Sequence, residues 1–234
     1  MFFPIGPLVD AGAIALAGFL GSLVGTRMNE RVSKALTTLM GFVALAIGIV
    51  LVIKVQTLGA VVLALVLGTL IGTLLKLDDH ANSLFKKISL KFFKDEENEE
   101  KLDNFNTILV LHCFSGTGIF GAINEGLTGD PTILICKAIM GFVTVFVFAT
   151  SIGKMCSLIA VPQLIIQLCL FFLAVLVRPL IDNPILKGDF SAVGGVIELI
   201  LALKILKLVK FKTIDALPAL ILVFPITLLW NYIF

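Results

Sequence analysis

Eight apolar segments divide the chain, at residues 7–25, 38–53, 58–75, 106–123, 132–150, 158–177, 192–208 and 214–232. About 20 apolar residues cross a bilayer as a helix, so each segment predicts a spanning helix, the shorter ones extended into their polar flanks. The one long polar stretch, residues 76–105, separates the third segment from the fourth. The pattern predicts an all-α, polytopic integral membrane protein. It has about eight transmembrane helices in a single membrane domain over residues 1–234.

Residues 178–221 read as a degenerate second copy of residues 27–68. Each copy has an Arg-bearing turn (Arg27, Arg178), an apolar segment opening on glycine (Gly41, Gly194), a Lys-bearing turn and another apolar segment. The domain therefore divides into repeat A (7–75), the loop 76–105, two central spans (106–150) and repeat B (158–232).

The basic residues orient the copies. Alternate turns collect Arg27, Arg31, Lys34, Lys76, Lys86, Lys87, Lys91, Lys94, Lys101, Lys154, Lys204, Lys207, Lys210 and Lys212 on one side. The other side holds only Lys54, Lys137, Arg178 and Lys187. Cytoplasmic turns carry the excess of Lys and Arg, which puts both termini outside and loop 76–105 in the cytoplasm. The first span then matches the sixth, an odd offset, so the repeat is inverted, a plan common in secondary transporters. Spans four and five have no evident copies.

Composition agrees with a membrane protein. The chain is 59% hydrophobic and 15% charged, with a mean hydropathy of +1.09, more apolar surface than a soluble domain of this size hides. The start, MFFPIGPLVDAGAIALAGFLGSLVG, has neither a basic leading region nor a small-residue cleavage site, and is read as a retained first span. Cys113, Cys136, Cys156 and Cys169 show no metal-ligand spacing. In loop 76–105, Leu84, Phe85, Ile88, Leu90, Phe92 and Phe93 alternate with lysines, as in a helix lying on the inner leaflet. The acidic run 95–100 is a solvated connector.

The fourth span, ILVLHCFSGTGIFGAINEGLTGD, is the unusual one. Gly116, Gly118, Gly121, Gly126 and Gly129 sit among Ser115 and Thr117. Each glycine costs a helix interior about 1 kcal/mol relative to alanine. Broken backbone at membrane depth is tolerated only in contact with protein or a watery cavity. The stretch is either an interrupted helix whose N–H groups approach a solute or a surface for close helix packing. Asn124 and Glu125 mark its outer end, as a solute vestibule or a polar loop, and His112 lies near its inner part.

Other polar residues within spans are candidate ligands. Glu198 is a proton or cation site, a partner for a basic residue, or a structural hydrogen-bonding group. Lys137 lies about one turn into the fifth span, either snorkelling outward or charged in the interior. Gln163 and Gln167 share one helix face, which must point inward because two amides in lipid go unsatisfied. Asp10 opens the first span, and Asp215 precedes Pro218 in the eighth. Trp230 and Tyr232 read as interfacial anchors. No nucleophile–base set, phosphate loop or nucleotide fingerprint is present, so no catalytic residues, cofactor, metal or nucleic-acid partner is expected, and the chain is not read as an enzyme.

The runs VDAGAIALAGFLGSLVGTRMNE, CFSGTGIFGAINEGLTGD, KAIMGF, SLIAVPQLIIQ and FSAVGGVIELILALKILKLVKFKTIDALPAL, in this order, resemble the YqgA/YdfK-like bacterial membrane family, domain of unknown function 554. Members commonly carry Gly-Pro-Met where this chain has Ser115-Gly116-Thr117. The resemblance implies an inner-membrane protein with a transport role and supplies no substrate. The expectation is a small secondary transporter, a homodimer in the lipid bilayer, moving a small polar or ionic solute. The solute would lie near midplane against Ser115, Gly116, Thr117, Gly118 and Gly121, with Asn124, Glu125, Lys137, Gln163, Gln167 and Glu198 as further candidate contacts. The alternatives are a channel lined by the fourth span and a non-transporting scaffold or sensor working through loop 76–105.

Overall fold

The computed structural model describes residues 3–25, 29–92, 99–113, 115–177 and 183–233. Among them are ten α-helices and no strand: α1 Ile5–Val24, α2 Glu30–Val52, α3 Leu58–Leu74, α4 Leu77–Phe92, α5 Glu99–Cys113, α6 Gly116–Thr128, α7 Thr132–Ile152, α8 Ala160–Val177, α9 Pro184–Ile205 and α10 Ala219–Ile233. Short 3-10 turns, Lys154–Ile159 and Thr213–Ala216, lead into α8 and α10. In hydrocarbon a helix satisfies its backbone within its own segment, which is why apolar stretches of bilayer length take this form.

Six stretches among the described residues are long and apolar enough to cross a bilayer: Ile5–Val24, Arg31–Val52, Ile108–Thr128, Thr132–Ile152, Lys154–Val175 and Thr213–Ile233. A seventh exists if α3 and the start of α4, bent by 53°, form one span. The 22-residue α9 carries Lys187, Asp189, Glu198 and Lys204 along its length. Helix ends follow local chemistry. The Asn29 side chain caps α2 and that of Asn183 caps α9, each accepting an N–H at 2.8 Å. Gly129 closes α6 at φ 81°, a left-handed conformation that glycine adopts without strain.

Small residues set the packing. α1 lies along α7, α2 along α9, α3 along α10 and α6 along α8. At the α2–α9 crossing Gly48 meets Gly195; a Cβ on Gly195 would come within 2.8 Å of the Gly48 carbonyl oxygen. Bare backbone contact of this kind substitutes for the hydrophobic drive that lipid removes. Phe120, Phe190 and Phe224 stack in sequence, with centroids 4.9 and 5.3 Å apart, and tie α6, α9 and α10 into one apolar core.

Several sequence expectations shift. The fourth span carries two helices: α5 ends at Cys113, and α6 begins at Gly116 behind its cap Ser115. The seventh begins at Pro184 rather than 192, because the polar Lys187–Gly188–Asp189 run is helical. Pro218 stands ahead of α10, where a missing N–H breaks no helical bond, and Pro225 alone lies within α10. The Trp230 ring packs on Gly59, whereas Tyr232 is exposed. Arg27, Arg178, Phe93 and residues 95–98 lie outside the described residues, as do the side chains of Phe85, Ile88, Leu90 and Phe92.

Candidate functional site

A carboxylate inside the bundle organises the site. Asp10, on the second turn of α1, accepts three donors on Oδ2: Lys137 Nζ from α7, Gln163 Nε2 and Gln167 Nε2 from α8, each at 2.6 Å. Gln163 and Gln167 are one turn apart on α8, so both amides reach the same atom. These four side chains and Glu198 are all 5% exposed or less. A buried charge of this kind is costly unless paired and hydrogen-bonded, and the Lys137 ammonium with two amides meets that need on one oxygen.

A second carboxylate, Glu198 of α9, accepts the Thr117 hydroxyl from the first turn of α6. Ser115 caps that turn by accepting the Gly118 N–H at 3.0 Å, so α6 opens on a capped, buried N-terminus about 20 Å from its far end. Gly118 is pressed between the Ser115 cap and the Asp10 cluster: a Cβ there would come within 2.8 Å of Ser115 Oγ, 2.9 Å of Lys137 Cε and 3.4 Å of Gln167 Nε2. The glycines beside it have apolar neighbours, Ile197 at Gly116 and Leu134 at Gly121.

Openings flank this core along the seam of α2, α7 and α9. At the Asp130 end a vestibule of about 770 Å³ is lined by Lys54, Asn124, Asp130, Cys136, Lys187 and Ser191, over an apolar floor that includes Ile47 and Val50. At the Lys207 end lies another of about 650 Å³, with Lys34, Thr37 and Thr150 in its wall. Met40, Ala44, Met140 and Ala202 close the seam between them. Beside Met140 a cavity of about 50 Å³ touches His112, Ser115, Thr117, Lys137 and Thr144. His112 is buried, and neither ring nitrogen has a protein hydrogen-bond partner.

The candidate residues therefore separate. Ser115, Thr117, Gly118, Lys137, Gln163, Gln167 and Glu198 converge. Asn124 lines the vestibule at the Asp130 end. Glu125 serves α1 instead, accepting the Gly6 N–H at 3.0 Å. Two residues that sequence reasoning left out of the site carry comparable duties. Asp10 is the hub, and its signal was a carboxylate inside an apolar span. Asp189 accepts the Gln56 and Thr57 N–H groups at 2.8 and 2.7 Å, tying the turn that leads into α3 to α9. Outside the spans, Asp130 accepts the Thr132 hydroxyl and N–H, which hold its carboxyl below the usual 3.8 against partial burial.

Apolar helices of bilayer length around a buried ionic cluster define a multi-pass, all-α membrane protein. The family described as "Protein of unknown function (DUF554)" matches residues 5–228, and the chain belongs to it. It is 44% identical over 230 residues to the uncharacterized protein YqgA of Escherichia coli (strain K12), covering 97% of both chains. It is 25% identical over 223 residues to the uncharacterized membrane protein YdfK of Bacillus subtilis (strain 168), covering 93% of both. No solved structure matches the chain.

Proposed function

We propose that this protein is a secondary transporter of a small anion or zwitterion, working by alternating access in a bacterial cytoplasmic membrane. One observation carries the reading: two vestibules open on opposite ends of the same three-helix seam, and an apolar closure separates them beside a buried ionic cluster. An enclosed ionic cluster in a membrane bundle is a functional-site signature. A closure of a few small and flexible side chains, Ala44, Met40, Met140 and Ala202, is one that helix rocking can transfer from one side to the other. Lys54 and Lys187, set against Asp130 at the outer mouth, favour an anionic group on the solute.

The reading includes eight spans, α5 and α6 forming one, with an inverted repeat, both termini outside and loop 76–105 in the cytoplasm. Packing supports the repeat in part. Exchanging α1 with α8, α2 with α9, α3 with α10 and α6 with α7 turns the α1–α7 contact into α8–α6, and the α6–α9 contact into α7–α2, all of which exist, whereas the α9–α10 and α3–α9 contacts have no comparable counterparts at α2–α3 and α2–α10. On this view α6 and α7, without copies in sequence, are exchange partners in space. The reading also includes a homodimer, checked by cross-linking in native membranes.

The test is uptake of radiolabelled amino acids and short carboxylates into proteoliposomes. Saturable uptake with counterflow is expected. Unitary currents in planar bilayers without counterflow would instead support a channel. Deleting most of loop 76–105 should leave uptake intact; a loss of function specific to that deletion would favour a scaffold or sensor.

A further inference from the structure

Donors crowd one oxygen of Asp10 while the acceptors around it go unused. Lys137, Gln163 and Gln167 all meet Oδ2. Asp10 Oδ1, Gln163 Oε1 and Gln167 Oε1 are buried and accept no hydrogen bond among the described residues. Each belongs to the same carboxylate or amide as an atom in the Oδ2 contact, so the three bare oxygens sit on groups that meet at one atom. Buried polar atoms without partners are rare and call for an explanation.

Charge points the same way. In ionised form Asp10 and Glu198 bring two negative charges against the one ammonium of Lys137. A proton on Glu198 would balance the count yet leave the three oxygens near Asp10 unmet. A hard cation would do both, since carboxylate and amide oxygens are its natural ligands. A site assembled from one carboxylate and two neutral amides suits a monovalent ion better than a divalent one, because it offers a single negative charge that Lys137 already contests.

We propose that Asp10, Gln163 and Gln167 form a sodium site in which the ion and the Lys137 ammonium compete for Asp10. Lys137 has somewhere to go. Its stem passes over Gly118, where no side chain blocks it, and it shares the wall of the small cavity with Thr117, the partner of Glu198. Sodium on Asp10 moves the ammonium toward Glu198; departure of sodium brings it back. Lys137 links α7 to α1 in one position and approaches the α6–α9 contact in the other, so ion binding changes which helices are tied together. As a coupling ion, sodium rests on the transport reading above; as a bound ion it rests on this geometry alone.

The test is binding of radioactive sodium to the full-length protein in detergent, at constant ionic strength with choline as the replacement cation. Saturable binding is expected. Lys137→Met removes the competitor and should tighten it about tenfold. Gln163→Leu should weaken it roughly 10- to 100-fold, as loss of a metal-site group does. Asp10→Asn leaves Lys137 buried without its partner and risks misfolding, so Asp10→Asn with Lys137→Met is the control; it should stay monodisperse and bind no sodium. Absence of saturable binding in both the wild type and Lys137→Met overturns the site, as does binding that survives in the double variant. Sodium binding without solute uptake would leave the site standing and remove the transport reading. Uptake without sodium binding would do the reverse.

Discussion

Glu125 Oε1 accepts the backbone N–H of Gly6 at 3.0 Å, joining α6 to the first turn of α1 across 119 residues of chain. The first N–H groups of a helix have no partner of their own, and here a carboxylate from another helix supplies one. Asp215 does the same for α4, accepting the Asp78 N–H at 3.0 Å, and Asp189 holds the turn into α3 by accepting the Gln56 and Thr57 N–H groups. Three acidic residues in or beside the spans thus meet backbone N–H groups of other elements. Glu125→Ala should destabilise the protein by about 1–3 kcal/mol, the cost of an unmet buried donor, whereas Glu125→Gln keeps an acceptor and should cost less. Hydrogen exchange over residues 5–10 reads this directly. If Glu125→Ala abolished uptake while that exchange stayed slow, a ligand role would replace the cap.

The Asp10–Lys137 pair should behave as a unit. Removing one member of a buried ion pair typically costs about 3–5 kcal/mol, because the other is left charged and alone. Asp10→Asn and Lys137→Met singly should each approach that range, and the double variant should cost clearly less than their sum. Unfolding in mixed micelles around the four-corner cycle measures the difference. Additive effects would mean that the 2.6 Å contact contributes no coupling.

Much of this arrangement was legible in the chain, for identifiable reasons. Gln163 and Gln167 point inward because lipid offers an amide no partner, and spacing alone puts them on one face. The break before α6 follows from glycine density beside a serine able to cap. Asp10 and Asp189 were harder. Hydropathy measures transfer to lipid, but Leu186 and Asp189 to Gly195 of α9 face protein, so the Lys187–Gly188–Asp189 run looked like a turn while forming a half-buried helix. Glu125 and Gly6 are far apart in sequence, and no local pattern encodes such a contact. Nor does any local pattern show which glycines meet polar atoms. Gly118 faces Lys137, whereas Gly116 and Gly121 face Ile197 and Leu134.

That contrast separates two kinds of glycine replacement. A Cβ on Gly118 would come within 2.9 Å of Lys137 Cε, the far end of a flexible side chain. Gly118→Ala should therefore cost no more than about 1–2 kcal/mol, at the mild end of overpacking, while crowding Lys137 beside Asp10 and impairing uptake strongly. A Cβ on Gly126 would come within 2.5 Å of the Phe171 backbone oxygen. There α6 and α8 must separate, so Gly126→Ala should be the more destabilising of the two. Thermal unfolding and uptake measured on both variants decide it; equal stability loss would show that α6 and α8 are not pressed together.

The turn between α6 and α7 should carry an acid-sensitive contact. Asp130 accepts the Thr132 hydroxyl at 2.5 Å and its N–H at 3.0 Å. These bonds, with the nearby Lys54 charge, depress its carboxyl below the ordinary 3.8 in the folded state, more than partial burial raises it. A depressed folded value means the folded state favours the ionised form, so the stabilisation is complete above 3.8 and fades as pH falls through the lower folded value. Hydrogen exchange at residues 129–133, corrected for its intrinsic pH dependence, should therefore be unchanged between pH 7 and about 5 and rise below about 4. Asp130→Asn keeps an acceptor without the charge and should flatten that rise, and Asp130→Ala should loosen the turn at all pH values by about 1 kcal/mol, the usual value of a cap. The same acid range strips the one carboxylate from a vestibule that also holds Lys54 and Lys187. If anion entry is limited by charge at this mouth, uptake by Asp130→Asn at neutral pH should show a lower half-saturation concentration for carboxylates, and an unchanged value would exclude Asp130 from the solute's approach.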